Sequence, residues 1–136
     1  MDWTIQFDEA VSRYLPDLEV VCDEPMSRHT TFRIGGPAKR MAYPSSREQL
    51  VLLLNFAEKS GADPLVIGNG SNLLVSDEGY RGLVLQLYRN FNDIQVNGET
   101  ITVQSGAMLA AVARTAYQNG LTGLEFASGI PGPIGG

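Results

Sequence analysis

Pro64-Leu65-Val66-Ile67-Gly68-Asn69-Gly70-Ser71-Asn72-Leu73-Leu74-Val75 is the stretch on which the reading of this chain turns. Pro64 to Ile67 is a short apolar run bounded by turn residues and reads as a buried strand. Leu73-Leu74-Val75 reads as another. Between them, glycines flank Asn69 and a Ser-Asn pair follows. Such a loop turns sharply, brings backbone N–H groups close to a ligand, and sets a hydroxyl and an amide beside them, which is what a phosphate or pyrophosphate needs. The other reading is a tight strand–loop–strand turn with no ligand, since glycine-rich loops often match by chance. The common nucleotide motifs do not fit. A dinucleotide fingerprint needs a third glycine opening a helix, where this chain has Leu73, and no Lys-Ser/Thr follows the glycines.

Working outward, Met41-Ala42-Tyr43-Pro44 resembles a strand end, while Val20 to Pro44 as a whole is mixed. Ser45-Ser46-Arg47-Glu48 reads as a capping box with Ser45 as N-cap and Glu48 at N3. The helix it opens carries Leu50, Leu53, Leu54 and Ala57 on one face, and Gly61 closes it. Strand, helix, strand then predicts a βαβ unit with a parallel pair. The glycine loop falls at the C-terminal end of a sheet strand, where ligands bind in such sheets. Phe7, Ala10, Val11, Tyr14 and Leu15 predict an N-terminal helix stopped by Pro16. Gly82 to Leu87 reads as a strand. Ile94 and Val96, then Ile101 and Val103, alternate around an Asn97-Gly98 hairpin turn. Leu109, Val112, Ala113 and Ala116 predict a last helix, closed by Gly120. The chain stops at Ile134-Gly135-Gly136, inside a second glycine-rich loop that begins at Gly129, and this ending is read as the break point of a longer protein.

At 136 residues, 43% hydrophobic and 18% charged, the chain has the make-up of one globular unit with a single core. A net charge of −5 argues against non-specific binding to nucleic acid or an anionic membrane. It leaves a nucleotide cofactor open, because backbone N–H groups hold phosphate without net positive charge. The single cysteine, Cys22, forms no internal disulfide and has no base beside it, and the lone His29 cannot build a zinc site, so no metal is expected. No signal peptide and no apolar run of membrane-spanning length is found, which favours the cytoplasm.

Four segments together resemble a family. They are Thr30-Thr31-Phe32-Arg33-Ile34-Gly35-Gly36-Pro37-Ala38, Ile67 to Val75, Gly79-Tyr80-Arg81-Gly82, and Gly120-Leu121-Thr122-Gly123-Leu124-Glu125 running into Gly129 to Gly136. In order and spacing, over about residues 25–136, they are similar to the N-terminal part of the UDP-N-acetylenolpyruvoylglucosamine reductases, the UDP-N-acetylmuramate dehydrogenases. The resemblance implies an α+β fold, a truncated FAD-binding PCMH/VAO-like domain. Its first subdomain, with the βαβ unit, covers about 1–90, and 91–136 begins a second α+β subdomain.

The resemblance also implies a cytoplasmic flavoenzyme of peptidoglycan synthesis that holds FAD between the two subdomains. NADPH reduces the flavin, which passes hydride to the enolpyruvyl group of the UDP-sugar. Gly68, Asn69, Gly70, Ser71, Asn72 and Leu73 correspond to the diphosphate loop. Ile130, Pro131, Gly132 and Gly135 correspond to the segment beside the flavin. On this reading Gly70→Val clashes with the diphosphate. Pro133 departs from the family, which usually carries a small or hydroxyl-bearing residue there, and a proline offers no N–H. The family's catalytic Ser, Arg and Glu belong to segments after Gly136, so no catalytic residue is assigned and the chain alone is expected to be inactive.

Of the remaining polar residues, Arg33 reads as a salt-bridge partner or a phosphate ligand, Glu125 as a local hydrogen-bonding group, Asp77-Glu78 as a solvated turn and His29 as a surface or capping residue. Another flavin oxidoreductase of the same superfamily, or a non-enzymatic nucleotide-binding domain, are the alternatives. An exposed truncated face would favour a dimer.

Overall fold

A computed structural model describes residues 2–136. The chain runs α1 (Trp3–Tyr14), β1 (Glu19–Pro25), a 3-10 turn (Met26–His29), β2 (Pro37–Tyr43), α2 (Arg47–Ser60), β3 (Pro64–Ile67), β4 (Tyr80–Gln86), β5 (Ile94–Asn97), β6 (Thr100–Val103), α3 (Leu109–Gln118) and a second 3-10 turn (Glu125–Gly129). The first four strands form one sheet in the order β1-β2-β4-β3, and β5-β6 is a separate antiparallel hairpin. Helices and a mixed sheet give the α+β class.

The expected parallel pair is present in a modified form. β2 and β3 are parallel, but they do not touch: β4 lies between them and pairs parallel with both. β4 takes the central place because Leu83, Val84 and Leu85 are all fully buried, so it is the strand with apolar side chains on both faces. Leu83 and Leu85 face one core with Ala42, Phe7, Leu53 and Ala57, under α1 and α2. Val84 faces the other with Met41, Tyr43, Ile67 and Met26.

Among the described residues no α-helix covers that second face, though Met26 of the 3-10 turn packs into it. It is covered by the connection from β3 to β4, which returns along the sheet with Leu73 and Val75 packed on the second core and Leu74 72% exposed. Leu73-Leu74-Val75 is therefore not a strand. Its alternation is real, because one side lies on a core, but no neighbouring strand pairs with it. The same segment is clipped to Gly35 and Gly36: the Gly36 N–H donates to the Ser76 carbonyl at 2.8 Å, and a side chain on Gly35 would begin 2.9 Å from Val75 Cβ.

Three local expectations shift. The N-cap of α2 is Ser46, not Ser45: its hydroxyl accepts from the Gln49 N–H at 3.2 Å. Gln49, not Glu48, occupies N3, and its Oε1 accepts from the Ser45 N–H at 2.8 Å and the Ser45 hydroxyl at 3.1 Å. Two adjacent serines admit either frame, and this one aims Leu53 and Ala57 at the core while leaving Leu54 40% exposed. The hairpin loop is Gly98-Glu99 rather than Asn97-Gly98, since Asn97 pairs with Thr100. β1 and the first half of β2 were not legible. β1 runs polar and apolar residues together around Cys22-Asp23-Glu24 at the sheet edge, where one face meets solvent.

Ser46→Ala is expected to destabilise the protein by about 1 kcal/mol and Ser45→Ala by clearly less, read from urea midpoints. At the N-terminus of α1, the Asp2 carboxylate accepts from the Thr4 hydroxyl at 2.7 Å and the Thr4 N–H at 3.0 Å. These bonds, with Lys39 nearby, hold its pKa at about 2, against an ordinary 3.8. A depressed carboxylate stabilises the folded state above its ordinary value and loses that contribution as pH falls toward its folded value. The Thr4 amide resonance is therefore expected to report loosening of this cap between pH 3.8 and about 2, and Asp2→Asn should remove that titration.

Candidate functional site

The parallel β2, β4 and β3 end on one side of the sheet, and the chain segments that leave them there build a cleft. From β3 runs the loop Gly68–Leu73. From β4 runs Leu87, whose N–H donates to the Ile67 carbonyl at 3.0 Å and keeps the two exits side by side. A second wall comes from residues 105–109, which lead into α3, and from 130–136. These two segments are stitched together: the Leu109 N–H donates to the Gly132 carbonyl at 3.0 Å, Ile134 N–H to Ala107 at 2.8 Å, and Gly135 N–H to Ser105 at 3.0 Å. Met108 and Pro133 form an antiparallel bridge between them.

The cleft has a volume of about 560 Å³. Gly68, Asn69, Gly70, Ser71, Asn72 and Leu73 line it from one side, and Ile130, Pro131, Gly132 and Gly135 from the other. The structure thus brings together both loops that the sequence singles out. It adds Ser105 and Leu109, which the sequence reading did not assign to the site, and sets Pro133 and Ile134 of the second loop in the lining. The signal for the 105–109 wall was a run of small residues, Ser105-Gly106-Ala107, immediately before an amphipathic helix. Gly106 is small because a side chain there would strike the Leu87 carbonyl.

No side-chain charge lines this cleft. Asn69 turns its amide back on the loop: its Oδ1 accepts from the Ser71 N–H at 3.3 Å, and its Nδ2 lies 3.7 Å from Met108 Sδ. Among the described residues, the N–H groups of Asn69, Gly70, Asn72 and Leu73 donate to no protein acceptor. A loop of free donors beside a wall of backbone, glycine and apolar side chains can hold an anionic group and a flat apolar one in the same space.

The glycines of the first loop carry a packing constraint that the sequence did not reveal. A side chain on Gly70 would run into the His29 carbonyl, and Gly70 has φ +74. The Gly70 carbonyl in turn accepts from the Thr31 N–H at 3.1 Å. A side chain on Gly68 would overlap the Pro133 ring. Bulk at either position therefore meets protein before it meets any ligand. Pro133 closes the cleft by packing its ring on Gly68.

Two more cavities, of about 680 and 630 Å³, meet the cleft at Asn69 and are bordered by Arg28 and His29. His29 is not a surface residue: its Nε2 lies 2.9 Å from Glu24 Oε1 with its side chain 10% exposed. Arg89 stacks its guanidinium 4.0 Å from the Tyr43 ring centre and lies 3.0 Å from Glu19 Oε2. Burial pushes the Tyr43 hydroxyl pKa up, against the lowering effect of Arg89. Arg33 has no carboxylate partner among the described residues, which removes the salt-bridge reading. Glu125 does make its local bond, accepting from the Gly123 N–H at 2.9 Å. Cys22 is exposed, and no group of His, Cys, Asp and Glu among the described residues could hold a metal. No helix among them is long and apolar enough to cross a membrane.

Residues 38–136 match the family described as FAD binding domain. A UDP-N-acetylenolpyruvoylglucosamine reductase of Moorella thermoacetica is 48% identical over 119 residues, which is 88% of this chain and 39% of that protein. The crystal structure of the corresponding reductase from Thermus caldophilus aligns with a TM-score of 0.64 and 34% identity over 88% of this chain and 40% of that one. A cholesterol oxidase from Brevibacterium sterolicum aligns with a TM-score of 0.67 at 15% identity, over 90% of this chain and 24% of its own, a likeness of fold alone. The chain spans about two fifths of the length of the curated relatives it matches.

Gly68→Ala is expected to destabilise the protein by about 1–3 kcal/mol through overlap with Pro133. Pro133→Ala in the same chain should recover a large part of that loss, a coupling that a urea-denaturation double-mutant cycle reads directly. Two additive single effects would show that the loops do not press on each other. Gly70→Ala should destabilise with no rescue at Pro133, because its obstacle is the His29 backbone.

Proposed function

We propose a function from one premise: this chain belongs to the FAD binding domain family. It is the FAD-holding part of a UDP-N-acetylenolpyruvoylglucosamine reductase. The observation that carries this reading is the cleft at the strand ends, lined on one side by a loop with free backbone donors and on the other by an apolar and glycine wall. Reductases of this name share 48% and 44% identity with the chain over most of its length.

The residues fit the cofactor by their donor set. The N–H groups of Asn69, Gly70, Asn72 and Leu73, which donate to no protein acceptor among the described residues, would hold the diphosphate with the Ser71 hydroxyl beside them, and the lining offers no side-chain carboxylate to repel it. Asn69 shapes the loop through its bond to the Ser71 N–H rather than touching the anion with its own amide. Ile130, Pro131, Gly132 and Gly135 supply the flat apolar surface. Pro133, without an N–H, gives the cofactor no hydrogen bond; its ring sets the distance between the loops.

FAD, reduced by NADPH, supplies the hydride that converts the enolpyruvyl group of the UDP-sugar to the lactyl group of UDP-N-acetylmuramate, in the cytoplasmic part of peptidoglycan synthesis. This chain's own share is binding and orientation, and none of its residues is assigned to catalysis. We divide the chain into a first subdomain at about 1–90 and the start of a second at 91–136, a reading supported by the separation of the four-stranded sheet from the β5-β6 hairpin.

The test is a titration of the purified protein with FAD and with riboflavin, followed by flavin fluorescence. If the diphosphate cradle carries affinity, riboflavin should bind at least about a hundredfold more weakly, the worth of two hydrogen bonds to a charged group. Ser71→Asp should weaken FAD binding and leave riboflavin unchanged. Equal affinity for both flavins would overturn the cradle assignment, and binding of neither would overturn the FAD reading.

A further inference from the structure

We propose that Arg28 and Arg33 form a second anion-binding subsite, next to the FAD cleft but separate from it, which takes the phosphate end of another phosphorylated ligand. The subsite is the cavity of about 630 Å³ lined by Ser27, Arg28, His29, Thr30, Thr31, Arg33 and Asn69. In a chain of net charge −5, its lining carries two arginines and no carboxylate. Among the described residues neither guanidinium makes an ion pair or a side-chain hydrogen bond. The nearest acid in sequence, Glu24, is held by His29 at 2.9 Å. The hydroxyls of Ser27 and Thr31 stand in the same lining as further donors of the kind that suits phosphate.

A second observation is independent of charge. Arg33 sits at φ +55, a left-handed conformation that a residue with a side chain holds only where its surroundings enforce it. Here the surroundings do: the Arg33 N–H donates to the Thr30 carbonyl at 3.1 Å, and the Thr30 hydroxyl donates to the Ile34 carbonyl at 3.2 Å. The turn is then pinned to the cofactor loop by the bond from the Thr31 N–H to the Gly70 carbonyl at 3.1 Å. The Thr30–Ile34 turn thus holds an unpaired arginine at a fixed place beside Asn69, which borders both cavities. The FAD reading is needed only for what the neighbouring cleft holds.

The experiment titrates inorganic pyrophosphate into the FAD-loaded protein at low salt, by calorimetry. Saturable one-to-one binding is expected, weakened roughly tenfold by Arg28→Gln and by Arg33→Gln and unchanged by Arg47→Gln, an exposed arginine on α2. FAD affinity should stay within about twofold in all three, which also shows that they are folded. Absence of saturable binding overturns the proposal, as does equal loss in Arg47→Gln, which would mean diffuse charge. A tenfold fall in FAD affinity in Arg33→Gln overturns it too, because the arginines would then serve the flavin's own diphosphate. If the protein takes up no FAD, the function reading fails by itself. Pyrophosphate binding to the FAD-free protein, dependent on Arg33 or not, then decides the subsite alone.

Discussion

Burial of β4 on both faces is the constraint on which the rest of the structure depends. Its Leu83-Val84-Leu85 core requires a layer on each side of the sheet and a strand on each edge. α1 and α2 provide one layer. On the other face the link from β3 to β4 lies flat across the sheet, with Leu73 and Val75 as its apolar contacts. That choice has a functional consequence. A link that must travel from the C-terminal end of β3 back to the start of β4 begins with a tight turn over the strand ends, and this turn is Gly68–Leu73. The loop is therefore held by the core at its far end and by β3 at its near end, which is the rigidity a preformed donor array needs.

The glycines show how fold and site compete for the same residues. A glycine-rich loop is usually read as room for a ligand. Here Gly68 and Gly70 make room for Pro133 and for the His29 carbonyl, so their smallness assembles the cleft from three separate chain segments. The loop's free N–H groups belong to Gly70 and its neighbours Asn69, Asn72 and Leu73. One short loop thus packs its two glycines against protein while its residues line the cleft.

Much of this was legible in the sequence, for identifiable reasons. α1, α2 and α3 announce themselves by apolar spacing and stops, and β3 and β4 by apolar runs. Both glycine-rich loops stand out by glycine placement; their meeting in one cleft rests on the bonds that stitch residues 130–136 to 105–109 beside the strand ends. What was not legible depends on partners distant in sequence. β1 is an edge strand whose mixed composition is explained only by its pairing with β2. Leu73-Leu74-Val75 has strand periodicity because a core lies under it, and periodicity does not reveal whether a neighbour is there to pair. The Ser45/Ser46 choice turns on a one-residue frame that both patterns satisfy. Arg33 looked like half of a salt bridge because nothing local shows that its turn is pinned to Gly70.

The electrostatic design follows from the same division of labour. An acidic chain cannot draw a dinucleotide in by its overall field, so affinity must come from short-range donors placed in advance. Backbone N–H groups suit this because they carry no counter-charge to be satisfied when the cleft is empty and cost little reorganisation when it is filled. Free guanidiniums behave differently. Arg40 is tied to Asp8 at 2.8 Å and Arg89 to Glu19 at 3.0 Å, each with a structural partner. Arg13, Arg47, Arg81 and Arg114 also make no ion pair among the described residues; what sets Arg28 and Arg33 apart is that both line one cavity beside Asn69. A chain that could neutralise them with a neighbouring carboxylate and instead gives Glu24 to His29 keeps positive potential next to its cofactor cleft, where a phosphorylated ligand would meet it.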